Sequence, residues 1–316
     1  MRRVLVTGGA GFIGSHLADR LLADGFAVTV LDNLTTGVRE RVPAAASFVE
    51  GDVADGALVV DVFANEHFDS VFHVAGQASI KLSFARPETD LATNVLGTVN
   101  VLRGCIESGV PRLLHASSMT VYGEPDRIPT PEDVPCIPVS YYGVTKYAAE
   151  RYVQIAGDRP DLALAVTSLR MFNVFGPRQS ITNPYQGVLA IFIGNVLRGE
   201  PITIHGDGLQ TRDFVFVDDV VEAWMHALDA PDALGAVLNV GSGQETSVNE
   251  LADAVLHACG ESRSTWDVRF EDAQLGDQRR AAADTGALQR LGWTSTTSVG
   301  DGMARTVSWA RRESDG

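Results

Sequence analysis

Short apolar runs alternate with longer amphipathic ones through the first half of the chain. Residues 3–7 form an apolar run of strand length, and residues 12–22 carry apolar positions at the spacing of one helical face. The alternation repeats, predicting strands over 27–31, 47–50, 69–73, 113–118 and 163–170. Between them, one long helix is predicted from about Thr89 through Asn94, Gly97 and Val101 to Glu107. Another is predicted over the apolar-periodic run that Tyr142 opens and Ile155 closes. Strands separated by helices and joined by right-handed crossovers predict an α/β fold on a doubly wound parallel sheet.

Beyond residue 170 the pattern is less regular. Residues 171–177 lead into a polar loop over 178–186, and a helix is predicted over about 187–197. Extended runs follow at 201–205 and 211–216, and an amphipathic stretch at 299–311 reads as a packing helix. The division predicted is residues 1–172 on the sheet and residues 173–316 mainly in a smaller lobe, partly interleaved with it.

Composition narrows the class. With 316 residues, 45% hydrophobic and 21% charged, the chain has enough apolar material for a large core. A net charge of −15 argues against a nucleic-acid or anionic-membrane surface, which needs an extended basic field. No apolar run approaches membrane-spanning length. Cys105, Cys136 and Cys259 are odd in number, with no CxxC, so a reducing cytoplasm is expected and neither a disulfide framework nor a zinc site.

The candidate chemistry sits at the predicted carboxyl edge of the sheet. Gly8, Gly11 and Gly14 fall between the first strand and the first helix, where a chain must turn, approach a pyrophosphate and pack helix on strand. The spacing is G-x-x-G-x-x-G rather than the commoner G-x-G-x-x-G. Asp32 ends the second strand, near the offset of about twenty residues at which a carboxylate meets an adenosine ribose. Together these predict a Rossmann-type dinucleotide site, and Asp32 would repel a 2′-phosphate, favouring NAD over NADP. Tyr142 and Lys146 are four apart and share a helical face. Lowering a phenol from about 10 to about 7 takes roughly 4 kcal/mol. An ammonium about 5 Å away supplies roughly 3 kcal/mol at an effective dielectric near 20. A second positive charge, such as an oxidised nicotinamide, would supply the rest and make Tyr142 a general base.

With the glycine turn, Asp32, the Ser117–Gly123 stretch and the Tyr142/Lys146 pair in order, the chain resembles the extended short-chain dehydrogenase/reductases. More narrowly it resembles the NAD-dependent nucleotide-sugar 4-epimerases of the UDP-glucose/UDP-galactose kind, over nearly its whole length. The resemblance implies a Rossmann-type sheet with a C-terminal substrate-binding lobe, a UDP-sugar substrate and a homodimer formed through the helix of about 89–108 and the one starting at Tyr142. It implies Ser118, Tyr142 and Lys146 as catalytic residues. Gly8, Gly11, Phe12 and Ile13 would hold the pyrophosphate; Asn33, Thr35 and Gly37 would join Asp32 at the ribose, with Asp52 and Val53 at the adenine. Ala75, Gly76, Gln77, Asn94 and Phe172 would line the cofactor. Ser79, Val188, Asn173, Arg212, Thr203, His205 and Asp277 would contact the substrate. Gln274 stands where the family places an arginine, with Arg279 a possible substitute. Ala281 stands where relatives gate the sugar pocket.

The stretch after Ser118 bears on the reaction. Related dehydratases carry an acid pair there, and decarboxylases a glutamate at the second position; this chain has Met119 and Thr120, which transfer no proton at neutral pH. The expectation is 4-epimerisation through a transient 4-ketone. A dehydratase or reductase, and a non-catalytic NAD-binding regulatory module, are the alternatives. Other residues have bland readings. His16 and His257 are expected to be packed or surface groups, His73 and His115 hydrogen-bonded core groups, and Tyr122 and Tyr141 structural. Glu132 and Asp133 are expected to face solvent, Arg279 and Arg280 to be a phosphate clamp or solvated charge, and Trp293 and Trp309 to pack the second lobe.

Overall fold

The computed structural model describes residues 1–181, 187–272 and 279–314. Its first half follows the predicted alternation: β1 (Arg3–Thr7), α1 (Phe12–Ala23), β2 (Ala27–Asp32), β3 (Ser47–Glu50), α2 (Gly56–Asn65) and β4 (Ser70–His73). Then come α3 (Ile80–Ala85), α4 (Pro87–Leu91), α5 (Gly97–Glu107), β5 (Arg112–Ser118), α6 (Tyr141–Gly157) and β6 (Ala165–Met171). The second half opens with β7 (Asn173–Phe175), α7 (Val188–Leu197), β8 (Ile202–His205), β9 (Thr211–Arg212), β10 (Phe214–Phe216) and α8 (Val217–Asp229). It continues through β11 (Val237–Val240), β12 (Thr246–Ser247), α9 (Val248–Cys259), β13 (Val268–Glu271), α10 (Gly286–Arg290) and α11 (Val299–Ser314).

Among the described residues, seven strands pair in the order β11-β6-β5-β4-β1-β2-β3, every pair parallel. The strand order reverses between β1 and β4, which opens a crevice at their carboxyl ends. Both faces of the sheet are covered, which is why its strands read as continuous apolar runs. Val4, Val6, Val30, Phe72 and Leu114 face one layer with α1 and α8, while Leu5, Leu31, Val71 and Leu113 face α2, α5 and α6. That is the period-two alternation of a pleated strand. The second lobe has its own core, where Phe192 and Ile193 of α7 meet Leu251 and Val255 of α9 and Met303 and Val307 of α11.

Four expectations need correction. The long helix of 89–107 is composite: α4 starts at Pro87, a first-turn position that suits a residue with no N–H, and a π-helical turn over Ala92–Leu96 joins it to α5. Such wide turns recur at functional sites, and this one carries the buried Asn94. Asp69 lies outside β4 and caps the neighbouring strand, accepting from the Arg3 N–H at 2.7 Å. Trp293 packs in the α1/α8 layer rather than in the second lobe, its indole N–H donating to the Asp219 carbonyl at 2.9 Å. Glu132 is half-buried rather than solvent-facing, its carboxylate accepting from the Asn239 N–H at 2.9 Å.

Candidate active site

The glycine turn between β1 and α1 lines the crevice. Gly8 has φ +70°, and a Cβ there would lie 2.8 Å from the backbone of Ala75. A Cβ on Gly14 would lie 2.1 Å from the Gly8 carbonyl oxygen. Side chains are therefore excluded where the turn is tightest. Helix α1 begins at Phe12, followed by Ile13, with no side chain capping its first turn. Its N–H groups suit a phosphate. At the end of β2, buried Asp32 accepts from the N–H groups of Ala10 at 3.0 Å and Leu34 at 2.8 Å. Gly37 lies against the same carboxylate, leaving no room for a Cβ. Asn33 donates to Asp52 at 2.8 Å and accepts from the Thr35 N–H at 3.0 Å, while Val53 packs under Gly97. These residues lie on the turns that follow β1, β2 and β3, and the glycine cradle and uncapped helix start fit a dinucleotide.

The reactive set lies across the crevice. Ser118, the last residue of β5, accepts from the Thr120 N–H at 3.3 Å and the Thr120 hydroxyl at 3.0 Å. Ser140 caps α6 by accepting from the Gly143 N–H at 3.0 Å, which sets the first turn around Tyr142. The Ser118 hydroxyl lies close enough to the Tyr142 phenol to favour its ionised form. A Cβ built on Gly76 would lie 3.1 Å from the Asn94 amide oxygen and 3.6 Å from the Lys146 Nζ. That places Gly76, Asn94 and Lys146 together. The Asn94 oxygen accepts from the Gln77 N–H at 2.8 Å.

Burial dominates the titration of the pair. It pushes the Tyr142 phenol above its ordinary value, with the Ser118 hydroxyl opposing and the Asp90 charge adding to the rise. Burial also pushes Lys146 down to about 8, against the pull of Asp90 and Glu150. This corrects the expectation that Lys146 by itself brings the phenol most of the way to neutrality. Its field is already offset by two carboxylates, and removing a phenolate from water costs more than the remainder returns. His73 is pushed down to about 3 and His115 well below 6.5, chiefly by burial, so both are neutral core groups.

The substrate-side expectations fall on the second lobe and its junction. Asn173 opens β7, donates its N–H to the Asp213 carbonyl at 3.0 Å and has a buried side-chain oxygen with no hydrogen-bond partner among the described residues. Arg212 pairs with Thr246 across β9 and β12. Thr203 and His205 share the half-exposed side of β8, opposite buried Ile202 and Ile204. Val188 begins α7 and Ser79 caps α3. Phe172 is buried against Val121 and Tyr122 rather than standing free, and Ala281 is also buried. Arg279 pairs with Asp207 at 2.8 and 3.0 Å, and Arg280 with Glu245, on the surface. Asp277 and Gln274, like residues 182–186 of the polar loop, lie outside the described residues.

Three buried groups beside the reactive pair escaped the sequence reading. Asp90 is fully buried; Thr145, between Tyr142 and Lys146, donates to it at 2.6 Å. Glu150, one turn beyond Lys146, accepts from Ser117 at 2.6 Å and from Arg170 at 2.6 and 3.0 Å. The available signal was an acid on the apolar face of a predicted helix.

A parallel doubly wound sheet, a glycine turn against an acid at the end of β2, and a serine–tyrosine–lysine set at the carboxyl edge define a dinucleotide-dependent enzyme of Rossmann type. The chain belongs to the NAD-dependent epimerase/dehydratase family, whose model matches residues 4–241. It is 41% identical to the UDP-glucose 4-epimerase of Mycolicibacterium smegmatis, the match covering 99% of each chain. Among solved structures it resembles the UDP-glucose 4-epimerase of Thermotoga maritima with UDP-glucose, at TM-score 0.93 and 36% identity over 98% of this chain and 99% of that one. It also resembles the Thermus thermophilus UDP-glucose 4-epimerase in complex with NAD, at TM-score 0.90 and 39% identity over 98% and 99%.

Proposed function

We propose that this chain is an NAD-dependent isomerase that inverts C4 of a UDP-hexose through a transient 4-ketone. UDP-glucose/UDP-galactose is the default pair, with the N-acetylhexosamine and hexuronate series as further candidates. The observation that carries the reaction type is the neighbourhood of Ser118. Thr120 is tied to the Ser118 oxygen and Met119 packs against a core cluster. Neither can shuttle the proton that elimination or decarboxylation chemistry needs.

In this mechanism Tyr142 accepts the 4-hydroxyl proton while Ser118 hydrogen-bonds the sugar oxygen. Lys146 stabilises the phenolate, and burial of all three excludes water from the ketone. Bound NAD supplies the oxidising and reducing equivalent at C4, together with the positive charge that helps draw the phenol down. Tyr142 returns its proton after the sugar has presented its other face. Residues 1–172 would hold the cofactor and residues 173–316 mainly the nucleotide sugar, with Asn173, Val188, Thr203, His205, Arg212, Asp277 and Arg279 as its contacts.

A homodimer is part of this reading. Exposed Tyr141, Val144, Tyr152 and Ile155 form a stripe along α6, with exposed Leu91 and Leu96 on the neighbouring helical segment. The Phe84 ring meets Tyr141 at 5.0 Å between centroids. An apolar face of that extent supports a second copy as its cover. No helix among the described residues is long and apolar enough to cross a membrane.

The test is incubation of purified protein with UDP-glucose, UDP-N-acetylglucosamine and UDP-glucuronate separately, without added cofactor, resolving the C4 stereoisomers by NMR. Interconversion without a free ketone supports the proposal, whereas accumulation of a 4-keto sugar or of NADH overturns it. Tyr142→Phe is expected to lose about 10²–10⁴-fold in turnover.

A further inference from the structure

Asp90 is buried in α4, with no surface open to solvent. Its Oδ2 accepts from the Thr145 hydroxyl at 2.6 Å, and its Oδ1 accepts from the Gln77 amide at 2.7 Å and the Asn94 amide at 3.2 Å. Burial pushes the Asp90 carboxyl up, and the Thr145 and Gln77 hydrogen bonds and the Lys146 charge oppose that rise and favour the carboxylate. Thr145 is itself a residue of α6, three after Tyr142, so its single hydroxyl proton, given to Asp90, ties α4 to the start of α6. Gln77 and Asn94 bond each other beside Gly76, on the wall of the crevice.

The charges around Lys146 single Asp90 out. Asp90 faces it from α4, Glu150 from its own helix, His73 from β4 and His115 from β5, and Tyr142 shares its face of α6. Both histidines are neutral. Glu150 is matched by the Arg170 guanidinium at 2.6 Å. Both carboxylates hold the proton on Lys146, Asp90 the more strongly, and Asp90 has no ion-pair partner within 4 Å among the described residues. We propose that Asp90 is a positioning residue, whose buried carboxylate keeps Lys146 an ammonium beside the crevice and, through Thr145, sets the turn of α6 that carries Tyr142.

This rests on the reading of Tyr142 and Lys146 given above. A second cation entering the crevice would press the proton off Lys146, and Asp90 opposes that. Removing the carboxylate lowers the affinity of both Lys146 and Tyr142 for protons, so both limbs of the kcat–pH profile move to lower pH.

The chain has two lysines, exposed Lys81 and buried Lys146, which makes a direct measurement practical. Protein labelled with ε-¹³C lysine is titrated by NMR with Lys81 as the internal reference, as wild type and as Asp90→Asn. The Lys146 midpoint, about 8 in the unmodified chain, is expected to fall by about one pH unit. Turnover at pH 8 then falls about fivefold, KM changes less than about twofold, and the deficit closes towards pH 6.5. Thr145→Val, which removes the strongest bond to Asp90, moves the midpoint the same way by a smaller step and serves if Asp90→Asn does not fold. An unmoved Lys146 midpoint with a uniformly scaled pH profile overturns the proposal. Tyr142→Phe separates the two readings. If it retains turnover, the assignment of the reactive pair falls, whereas an inactive Tyr142→Phe beside an unmoved Asp90→Asn profile removes only the role of Asp90.

Discussion

Replacing Glu150 by glutamine isolates the price of an unmatched charge in the interior. Glu150 and Arg170 have side-chain exposures of only 2% and 6%, and their guanidinium–carboxylate bonds are 2.6 and 3.0 Å. Arg170 also donates to the Glu132 carbonyl at 3.1 Å and lies 4.7 Å from the Tyr122 ring centroid. Glutamine keeps one acceptor oxygen but removes the charge that offsets the guanidinium. Charge-assisted bonds contribute about 1.5–3 kcal/mol each, and breaking a buried pair costs about 3–5 kcal/mol because one ion is left alone. Glu150→Gln is therefore expected to destabilise the protein by about 3 kcal/mol or more. Urea unfolding followed through buried Trp224 and Trp293 measures this. Arg170→Met should cost a similar amount, whereas Glu150→Leu/Arg170→Met should return to within about 1.5 kcal/mol of wild type, since neither ion then needs desolvating. Measured against the Glu150→Leu and Arg170→Met singles, the coupling between the sites is accordingly at least about 2 kcal/mol. A Glu150→Gln loss below about 1 kcal/mol, or a Glu150→Leu/Arg170→Met variant as unstable as Glu150→Leu and Arg170→Met added together, would refute the reasoning.

Three further outcomes follow from the same structure. Gly14→Ala places a Cβ against the backbone of Gly8 and Gly9, which no rotamer change relieves; purified protein should carry less NAD by absorbance and lose roughly 1–3 kcal/mol of stability. His73 and His115 are held neutral in the fold while their unfolded counterparts protonate near 6.5. The unfolded state therefore binds more protons below that pH, and stability, full above about 6.5, should fall by roughly 2 kcal/mol per histidine by pH 5 in unfolding titrations. Tyr152→Glu on the exposed stripe of α6 should convert the proposed dimer to monomer in sedimentation velocity with the fold intact by circular dichroism; a monomeric unmodified chain overturns the proposed dimer, and an unchanged dimer removes that face from the interface.

Much of the architecture was legible in the chain because its signals are local. Val4, Leu5 and Val6 had to be covered on both sides, so a buried parallel strand was the consistent reading. The Gly8–Gly14 turn and Asp32 stand at separations set by one strand–turn–helix unit, and four residues from Tyr142 to Lys146 make one helical turn whatever surrounds them. The π-helical turn at Ala92–Leu96 was not legible, since it depends on Asn94 reaching Gln77 and Thr145 from another part of the chain. Trp293 was placed in the wrong layer for a similar reason, because its partner Asp219 is distant in sequence.

The residues alone therefore determined the sheet and the dinucleotide turn, while the family resemblance singled out the serine, tyrosine and lysine. Only the tertiary structure decided how Tyr142 and Lys146 titrate. Helical spacing states that Tyr142 and Lys146 can share a face, but their proton affinities depend on how much water the surrounding layers exclude. They depend equally on carboxylates brought in from elsewhere: Asp90, 56 residues before Lys146, reads in sequence as one more polar position near the start of a helix. A dielectric environment belongs to the packed whole, and no local pattern of apolar and polar residues encodes it.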